Sequence, residues 1–275
     1  MRDFAARSVV ITGAGGGLGA ALVQAFLAAG ARVAALDRDP QALATLAARC
    51  APIVQAHAAA LWTTVCDVTD AQACQHAMDQ AVQRHGGVDV LINNAGIAHR
   101  SAFADTRLEV LRRVMDVNFF GAVHCTHAAL PSLRARSSLV IAISSVAGFS
   151  PLIGRTGYAA SKHALHGFFD SLRTEVEDEG VGVLLVCPSF IETGIDKAAL
   201  GADGQPAVQG RKMTGGQTQP AEVAQAILTA ARNNQKLLLF SSTSRAAWWL
   251  SRLWPARYAS IMKRRLQAEI YPPNR

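Results

Sequence analysis

Long apolar runs are missing from this chain. No stretch reaches the roughly 20 residues that a bilayer-spanning helix needs, and Met1-Arg2-Asp3 leads almost directly into a strand pattern without a signal-peptide core. These absences predict a cytoplasmic protein. Cysteine is sparse as well: Cys50, Cys66, Cys74, Cys125 and Cys187 are an odd number, scattered with no CxxC spacing, so they read as reduced core residues with no disulfide frame or zinc site. His124/His127 and His163/His166 stand three apart on predicted helices, but no Cys or acidic cluster in sequence completes a metal site there, and no metal is expected. Charged residues make up only 17% and apolar residues half, which excludes a disordered chain. The last part of the chain has little negative charge. From residue 245 onward Arg245, Arg252, Arg257, Lys263, Arg264, Arg265 and Arg275 face the single acid Glu269, so this segment holds +6 of the net +7. The body is close to neutral, which argues against nucleic acid as a partner.

What is present is a rhythm of strands and helices. Ser8 to Thr12 is a short β-branched run, followed by Gly13-Ala14-Gly15-Gly16-Gly17-Leu18-Gly19 and an amphipathic helix through about Ala29. Strand, glycine turn and helix in that order make a phosphate site, because glycines admit a pyrophosphate close to the backbone and the helix N-terminus offers unpaired N–H groups. The next strand, Arg32 to Leu36, ends at Asp37, about twenty residues after the turn. An acid there suits the adenosine ribose hydroxyls and repels a 2′-phosphate, which favours NAD; Arg38, one residue on, keeps NADP open.

A helix is predicted from Pro40 to about Cys50, then an Ala-rich segment with Pro52 and His57 that the pattern does not assign. Leu61 to Cys66 reads as a strand closing at Asp67-Val68, Ala71 to His85 as a helix, and Val88 to Ile92 as a strand before the turn Asn93-Asn94-Ala95-Gly96. A long helix through Asn118 to about Leu130 precedes the strand Leu139 to Ile143 and then Ser144-Ser145. The helix that starts near Tyr158 is followed by the strand Val181 to Val186 and by Cys187-Pro188-Ser189-Phe190-Ile191-Glu192-Thr193. Helix Pro220 to Arg232 and strand Lys236 to Phe240 complete the pattern. This order predicts an α/β, Rossmann-type doubly wound parallel sheet of about seven strands, with ligands at the carboxyl ends of the strands. The predicted units are the body, 1–242, including a polar, Gly-rich substrate loop over 194–218, and a basic, aromatic helical extension over 243–275.

Tyr158 and Lys162 lie four residues apart, on one face of their helix. An ammonium beside a phenol lowers the phenol's pKa and makes it a proton donor and acceptor near neutrality.

Taken together, these residues resemble the classical short-chain dehydrogenases/reductases from about Ser8 to Phe240. The family's TGxxxGxG turn falls on Thr12-Gly13, Gly17 and Gly19, its adenine-side Asp-Val on Asp67-Val68, and its NNAG turn on Asn93 to Gly96. Its catalytic Asn, Ser, Tyr and Lys fall on Asn118, Ser145, Tyr158 and Lys162, with Ser145 thirteen residues before Tyr158. The resemblance implies an NAD(P)-dependent oxidoreductase in which Tyr158 moves the proton, Ser145 holds the substrate oxygen, Lys162 tunes Tyr158 and holds the nicotinamide ribose, and Asn118 anchors a water that relays protons from Lys162. It also places Pro188, Ile191 and Thr193 beside the nicotinamide and implies a homodimer or homotetramer built on the two long helices. Where the family usually has Pro-Gly, this chain has Pro188-Ser189.

Residues expected to line the substrate pocket are His99, Phe149, Pro151, Leu152, Ile153, Phe190 and Ile195, a mostly apolar set. They predict a small hydrophobic alcohol or ketone of steroid, retinoid, fatty or aromatic type. A 3-oxoacyl-thioester reductase, with Arg100, Arg107 and Arg155 as a basic entrance, and a catalytically silent NAD(P)-binding regulator are the alternatives. The extension reads as one helix with Trp248, Trp249 and Leu253, a break at Trp254-Pro255, and a second helix with Tyr258, Ile261, Met262, Leu266 and Ile270. Arg265 falls inside the apolar arc of the second helix, so the segment 245–270 either packs on the body or on a partner subunit, or makes peripheral contact with a membrane.

Overall fold

The fold is seen in a computed structural model, which describes residues 1–57, 59–192, 194, 198–207 and 218–270. Seven strands form one parallel sheet among these residues, in the order β3-β2-β1-β4-β5-β6-β7. They are β1 (Ser8–Thr12), β2 (Arg32–Asp37), β3 (Ala60–Val65), β4 (Val90–Asn93), β5 (Leu139–Ile143), β6 (Gly182–Cys187) and β7 (Leu237–Leu239). The helices between them are α1 (Gly17–Ala28), α2 (Pro40–His57), α3 (Ala71–His85), α4 (Leu108–Met115), α5 (Gly121–Arg134), α6 (Thr156–Val176) and α7 (Pro220–Arg232).

The strands are continuous apolar runs because both faces of the sheet are covered. Alternate side chains go to opposite sides. Val9, Ile11, Val33, Ile92, Ile141 and Val186 join α1, α2 and α7 residues in one core. Val10, Ala34, Leu91, Val140 and Leu185 meet α3, α5 and α6 residues in the other. Each large side chain buried this way contributes about 1.5–3 kcal/mol, so the sheet is fixed from both sides and its carboxyl edge is a rigid platform. The strand order reverses direction between β1 and β4, which opens a crevice there.

Helix ends depart from the sequence pattern. The unassigned Ala-rich segment is the continuation of α2 through Pro52 to His57. Proline removes one backbone bond, but Ile53 and Val54, one and two residues beyond, pack against the core and offset that loss. The helix through Asn118 is not uniformly α: a π turn over Asp116–Phe120 separates α4 from α5, and α5 runs past Pro131 to Arg134, where Leu133 is fully buried. Several strands are offset from their predicted bounds by a residue or two, and Asn93 belongs to β4.

The extension forms two helices, α8 (Ser242–Leu253) and α9 (Pro255–Ile270), broken at Trp254 as the sequence predicts. It packs on the body. Trp248 meets Phe149 edge to face with ring centroids 5.0 Å apart, and the buried Tyr258 hydroxyl lies 2.6 Å from Ser150 Oγ. Ala247, Tyr258, Phe149 and Cys187 make a small core of their own at this end of the sheet. No helix among the described residues is long and apolar enough to cross a membrane.

Candidate active site

The glycine turn is held in shape from the NNAG turn. Thr12 Oγ1 accepts hydrogen bonds from Asn94 N (3.0 Å) and Ala95 N (3.1 Å), while Asn94 Nδ2 donates to the Thr12 and Gly13 carbonyls at 3.0 Å each. This tight clasp leaves no room for side chains. A β-carbon on Gly13, whose φ is +63°, would sit 2.7 Å from Ala95 Cα, and one on Gly19 would come within 2.0 Å of the Gly13 carbonyl oxygen. Gly16 is different: a β-carbon there meets nothing within 4 Å. Gly16 is the N-cap of α1, and no described side chain caps that helix, so its first N–H groups open onto the crevice.

Asp37 ends β2 across the turn. Its carboxylate accepts from Gly15 N at 2.9 Å and from Asp39 N at 3.0 Å, and Arg38 lies beside it on the wall of the same crevice. Asp67, at the end of the segment after β3, accepts from Thr69 N and Thr69 Oγ1. Those bonds, the backbone one foremost, with Arg38 and Arg113 nearby, hold its carboxyl below the usual range against the opposing effect of burial. Uncapped helix N–H groups, an open glycine and an acid at the second strand fit a dinucleotide: pyrophosphate at the first two, ribose hydroxyls at the third.

One cleft of about 1190 Å³ runs from this turn past Tyr158 to the C-terminal helices. Gly13, Gly17, Leu18, Gly19, Asp37, Arg38, Asp67, Val68, Asn94, Ala95, Gly96, Pro188 and Ile191 line its first part. Ser145, Tyr158 and Lys162 line the middle. Ser145 leaves β5 in an extended conformation and its hydroxyl accepts from Ala147 N at 3.1 Å, which aims the side chain at the start of the following turn. Tyr158 sits in the first turn of α6, and Lys162, one turn on, is buried with its Nζ 5.8 Å from the Tyr158 ring centroid. Lys162 Nζ donates to the Ile143 carbonyl at 2.8 Å. Burial lowers the Lys162 pKa to about 8.

Asn118 lies behind this group. Its Oδ1 accepts from Ile97 N (2.7 Å), and its Nδ2 donates to the Ile97 carbonyl (3.0 Å) and to Ser161 Oγ (2.9 Å). Both amide hydrogens are therefore committed, and the side chain fixes the Gly96–Ile97 backbone instead of facing the cleft. Asn118 is the buried residue of the π turn.

Of the expected pocket residues, His99, Leu152 and Phe190 line the cleft. Phe149 and Ile153 do not: Phe149 is used up between His166 and Trp248, where it anchors the extension, and Pro151 is exposed at the surface. Thr193, Ile195 and most of the predicted loop over 194–218 lie outside the described residues. Sequence reasoning missed the contribution of the extension. Ala246, Leu250, Tyr258, Ile261, Met262 and Leu266 line the far end of the cleft, and Arg265 stands among them. The arc of α9 that Arg265 interrupts is the one that lines the cleft, and this irregularity was the available sequence signal.

Comparison with known proteins agrees with this geometry. The model of the short chain dehydrogenase family matches residues 7–202. The chain belongs to the short-chain dehydrogenase family. It is accordingly an oxidoreductase acting on CH–OH groups with a nicotinamide cofactor. It is 41% identical over 267 residues to the dehydrogenase/reductase SDR family member 7B of Bos taurus, covering 95% of this chain and 82% of that protein. An Anopheles gambiae relative, dehydrogenase/reductase SDR family protein 7-like, is 35% identical over 97% of this chain and 85% of its own length. Among solved structures, a short-chain dehydrogenase/reductase of Burkholderia phymatum in complex with NAD superposes with a TM-score of 0.80 at 24% identity, covering 100% of this chain and 99% of that one. An alcohol dehydrogenase of Thermococcus sibiricus complexed with 5-hydroxy-NADP gives a TM-score of 0.71 at 23% identity, over 82% and 90%.

Proposed function

We propose that the enzyme interconverts a hydrophobic secondary alcohol and its ketone with NAD, using Tyr158 as general acid and base. The observation that carries this reading is the continuity of the cleft, which joins Ser145, Tyr158 and Lys162 to a chamber walled by Leu152, Phe190, Leu250, Ile261 and Met262. The dinucleotide gives or takes a hydride at its nicotinamide ring. Gly13, Gly17, Leu18 and Gly19 would hold its pyrophosphate, Asp37 its adenosine ribose, Asp67 and Val68 its adenine, and Asn94 to Gly96, Lys162, Pro188 and Ile191 its nicotinamide half.

Ser145 Oγ holds the substrate oxygen, and the Tyr158 hydroxyl gives that oxygen a proton in reduction and removes it in oxidation. Lys162 places positive charge beside the phenol and so favours the phenolate during transfer. Asn118 supports the reaction by fixing the turn opposite Lys162: a β-carbon at Gly96 would lie 3.3 Å from Asn118 Oδ1 and 3.6 Å from Lys162 Nζ. Asp37, already accepting two backbone hydrogens, presents negative charge where a 2′-phosphate would lie, which supports NAD over NADP. The thioester reading loses support because Arg100 and Arg155 are buried within the cleft and Arg107 lies outside it beside Glu109.

Phe120, exposed at the end of the π turn, supports a homodimer or homotetramer through the helices around Asn118 and Tyr158. Trp249, Leu253 and Trp254 point outward from the extension and support peripheral membrane contact, read by co-sedimentation with anionic vesicles. The main test is oxidation of steroidal, aliphatic and aromatic secondary alcohols and a 3-hydroxyacyl thioester, with NAD and with NADP, alongside Tyr158→Phe. Turnover of apolar alcohols with NAD, reduced about 10²-fold or more in the variant while NAD binding persists, is expected. An enzyme that binds NAD and turns over no alcohol or matching ketone in the panel refutes the reading.

A further inference from the structure

The part of α9 that lines the cleft is Tyr258, Ile261, Met262, Arg265 and Leu266, which the helical repeat places in a single stripe. Four of these are the aromatic and apolar side chains that such a wall requires. The fifth carries a full charge. Lys263 and Arg264, on either side of Met262 and Arg265 in sequence but off the stripe, do not line the cleft. Arg265 is thus set apart from the other basic residues of α9 and belongs to the chamber.

This charge has no counter-charge in its surroundings. Among the described residues Arg265 makes neither an ion pair nor a hydrogen bond. The described acids that line the cleft, Asp37, Asp67 and Asp116, stand at the end of β2, after β3 and on the π turn, and α8 contributes no acid to the wall. Arg265 does act on the buried Tyr258: burial raises the phenol's pKa, and the bond to Ser150 and the positive charge of Arg265 oppose that rise. The guanidinium therefore stands close to the lining phenol. It is also exposed, so a ligand in the cleft can reach it. A chain that filled the chamber along Leu250, Ile261 and Met262 would strip water from the guanidinium, and a desolvated cation is stable only beside an anion. The described wall supplies none, so the ligand must bring it.

We propose that Arg265 binds a carboxylate on the substrate, which makes the substrate an amphipathic hydroxy or oxo acid: the reacting carbon at Tyr158, an apolar spacer against Leu250, Ile261 and Met262, and the carboxylate at Arg265. The planar guanidinium matches a carboxylate through two parallel N–H bonds, and one guanidinium balances its single charge. This inference rests on the proposed alcohol chemistry and narrows its substrate class from hydrophobic alcohols to those with an acid at the distal end.

The test uses a length series of methyl-ketone acids, 5-oxohexanoate, 7-oxooctanoate, 9-oxodecanoate and 11-oxododecanoate, each against its methyl ester with NADH as reductant. At low ionic strength the wild type is expected to favour the acid by about fivefold or more in kcat/KM for at least one length, and the preference should shrink as salt is raised. Arg265→Gln should bring the ratio to near one, Arg265→Lys should keep part of it, and Arg265→Glu should favour the ester. A ratio near one at every length in the wild type, or a preference that survives Arg265→Gln, overturns the proposal. Decanoate and methyl decanoate, which have no carbinol or ketone, are titrated by calorimetry into the NAD complexes of wild type and Arg265→Gln. Weaker binding of decanoate alone in the variant supports the carboxylate contact even when no oxo acid turns over, so failure of the alcohol chemistry is read separately. Equal affinities of decanoate for the two proteins, or an equal loss for decanoate and its ester, would refute the role of Arg265.

Discussion

Replacing Lys162 by methionine separates the electrostatic cost of the active site from its packing. Lys162 is buried and its pKa is lowered from the ordinary 10.5 to about 8, chiefly by desolvation. That difference corresponds to about 3 kcal/mol at ~1.4 kcal/mol per pH unit. The folded pKa is below the unfolded one, so between pH 8 and 10.5 the unfolded chain binds more protons and stability rises with pH. Below pH 8 both states are protonated and the full penalty is present; above 10.5 both are neutral and it is gone. Methionine has no such penalty at any pH, although it also loses the 2.8 Å bond to the Ile143 carbonyl. That loss costs about 1–3 kcal/mol and is nearly constant with pH. The difference between the two proteins is therefore the decisive quantity. In the absence of cofactor, the stability of Lys162→Met relative to wild type should fall by about 3 kcal/mol between pH 7 and 10.5. For a chain of this size that is a change of roughly 6–12 °C in relative Tm, measured by scanning calorimetry at matched ionic strength. A relative Tm that stays constant across this range would refute the assignment of a desolvated, charged lysine at the base of the cleft.

Other perturbations address the neighbouring parts of the site. Asp37→Ser removes the charge opposite the ribose, and the ratio of kcat/KM for NAD to that for NADP should fall by about tenfold or more, since ~1.4 kcal/mol already gives a factor of ten; an unchanged ratio would locate cofactor choice elsewhere. Gly19→Ala places a β-carbon 2.0 Å from the Gly13 carbonyl oxygen, so the turn must shift, and NAD affinity measured by fluorescence titration should weaken by an order of magnitude or more; wild-type affinity would mean that the turn does not hold the cofactor. Ser150→Ala leaves the buried Tyr258 hydroxyl without its 2.6 Å partner, at a cost of about 1–3 kcal/mol, and limited proteolysis should cut the extension faster than in wild type. Equal cleavage rates would show that this bond does not hold the extension.

The sheet and the glycine-turn end of the cleft were legible because their signals are local. Strands covered on both faces become unbroken β-branched runs, and the glycines at 13, 17 and 19 occupy positions where a β-carbon collides or the backbone turns left-handed. Helix lengths were less legible because proline has a fixed local cost while its compensation comes from elsewhere. Pro52 stood in a segment that the pattern left unassigned, yet Ile53 and Val54 pack on a core formed by distant strands. Asn118 was found by motif, but the partners of its side chain were not legible: Ile97 and Ser161, which take both amide hydrogens, lie 21 and 43 residues away in sequence.

The substrate end was least legible, since it is built across about 110 residues of sequence. Ser150 and Tyr258, or Phe149 and Trp248, are pairs that no periodicity relates, and their contact swings α8 and α9 over the carboxyl edge of the sheet. This changes the meaning of the basic extension. On an isolated helix, Arg265 spoils an apolar face; with α9 docked, the same face becomes a chamber wall in which Tyr258, Ile261, Met262 and Leu266 are the lining and Arg265 lies among them. Composition reported a cationic tail, whereas the packing directs part of that charge toward whatever enters beside Tyr158. A helix pair that both closes its own small core and walls the cleft couples tail stability to substrate affinity, so loosening Tyr258 should raise KM for bulky alcohols before it affects the binding of NAD at the opposite end.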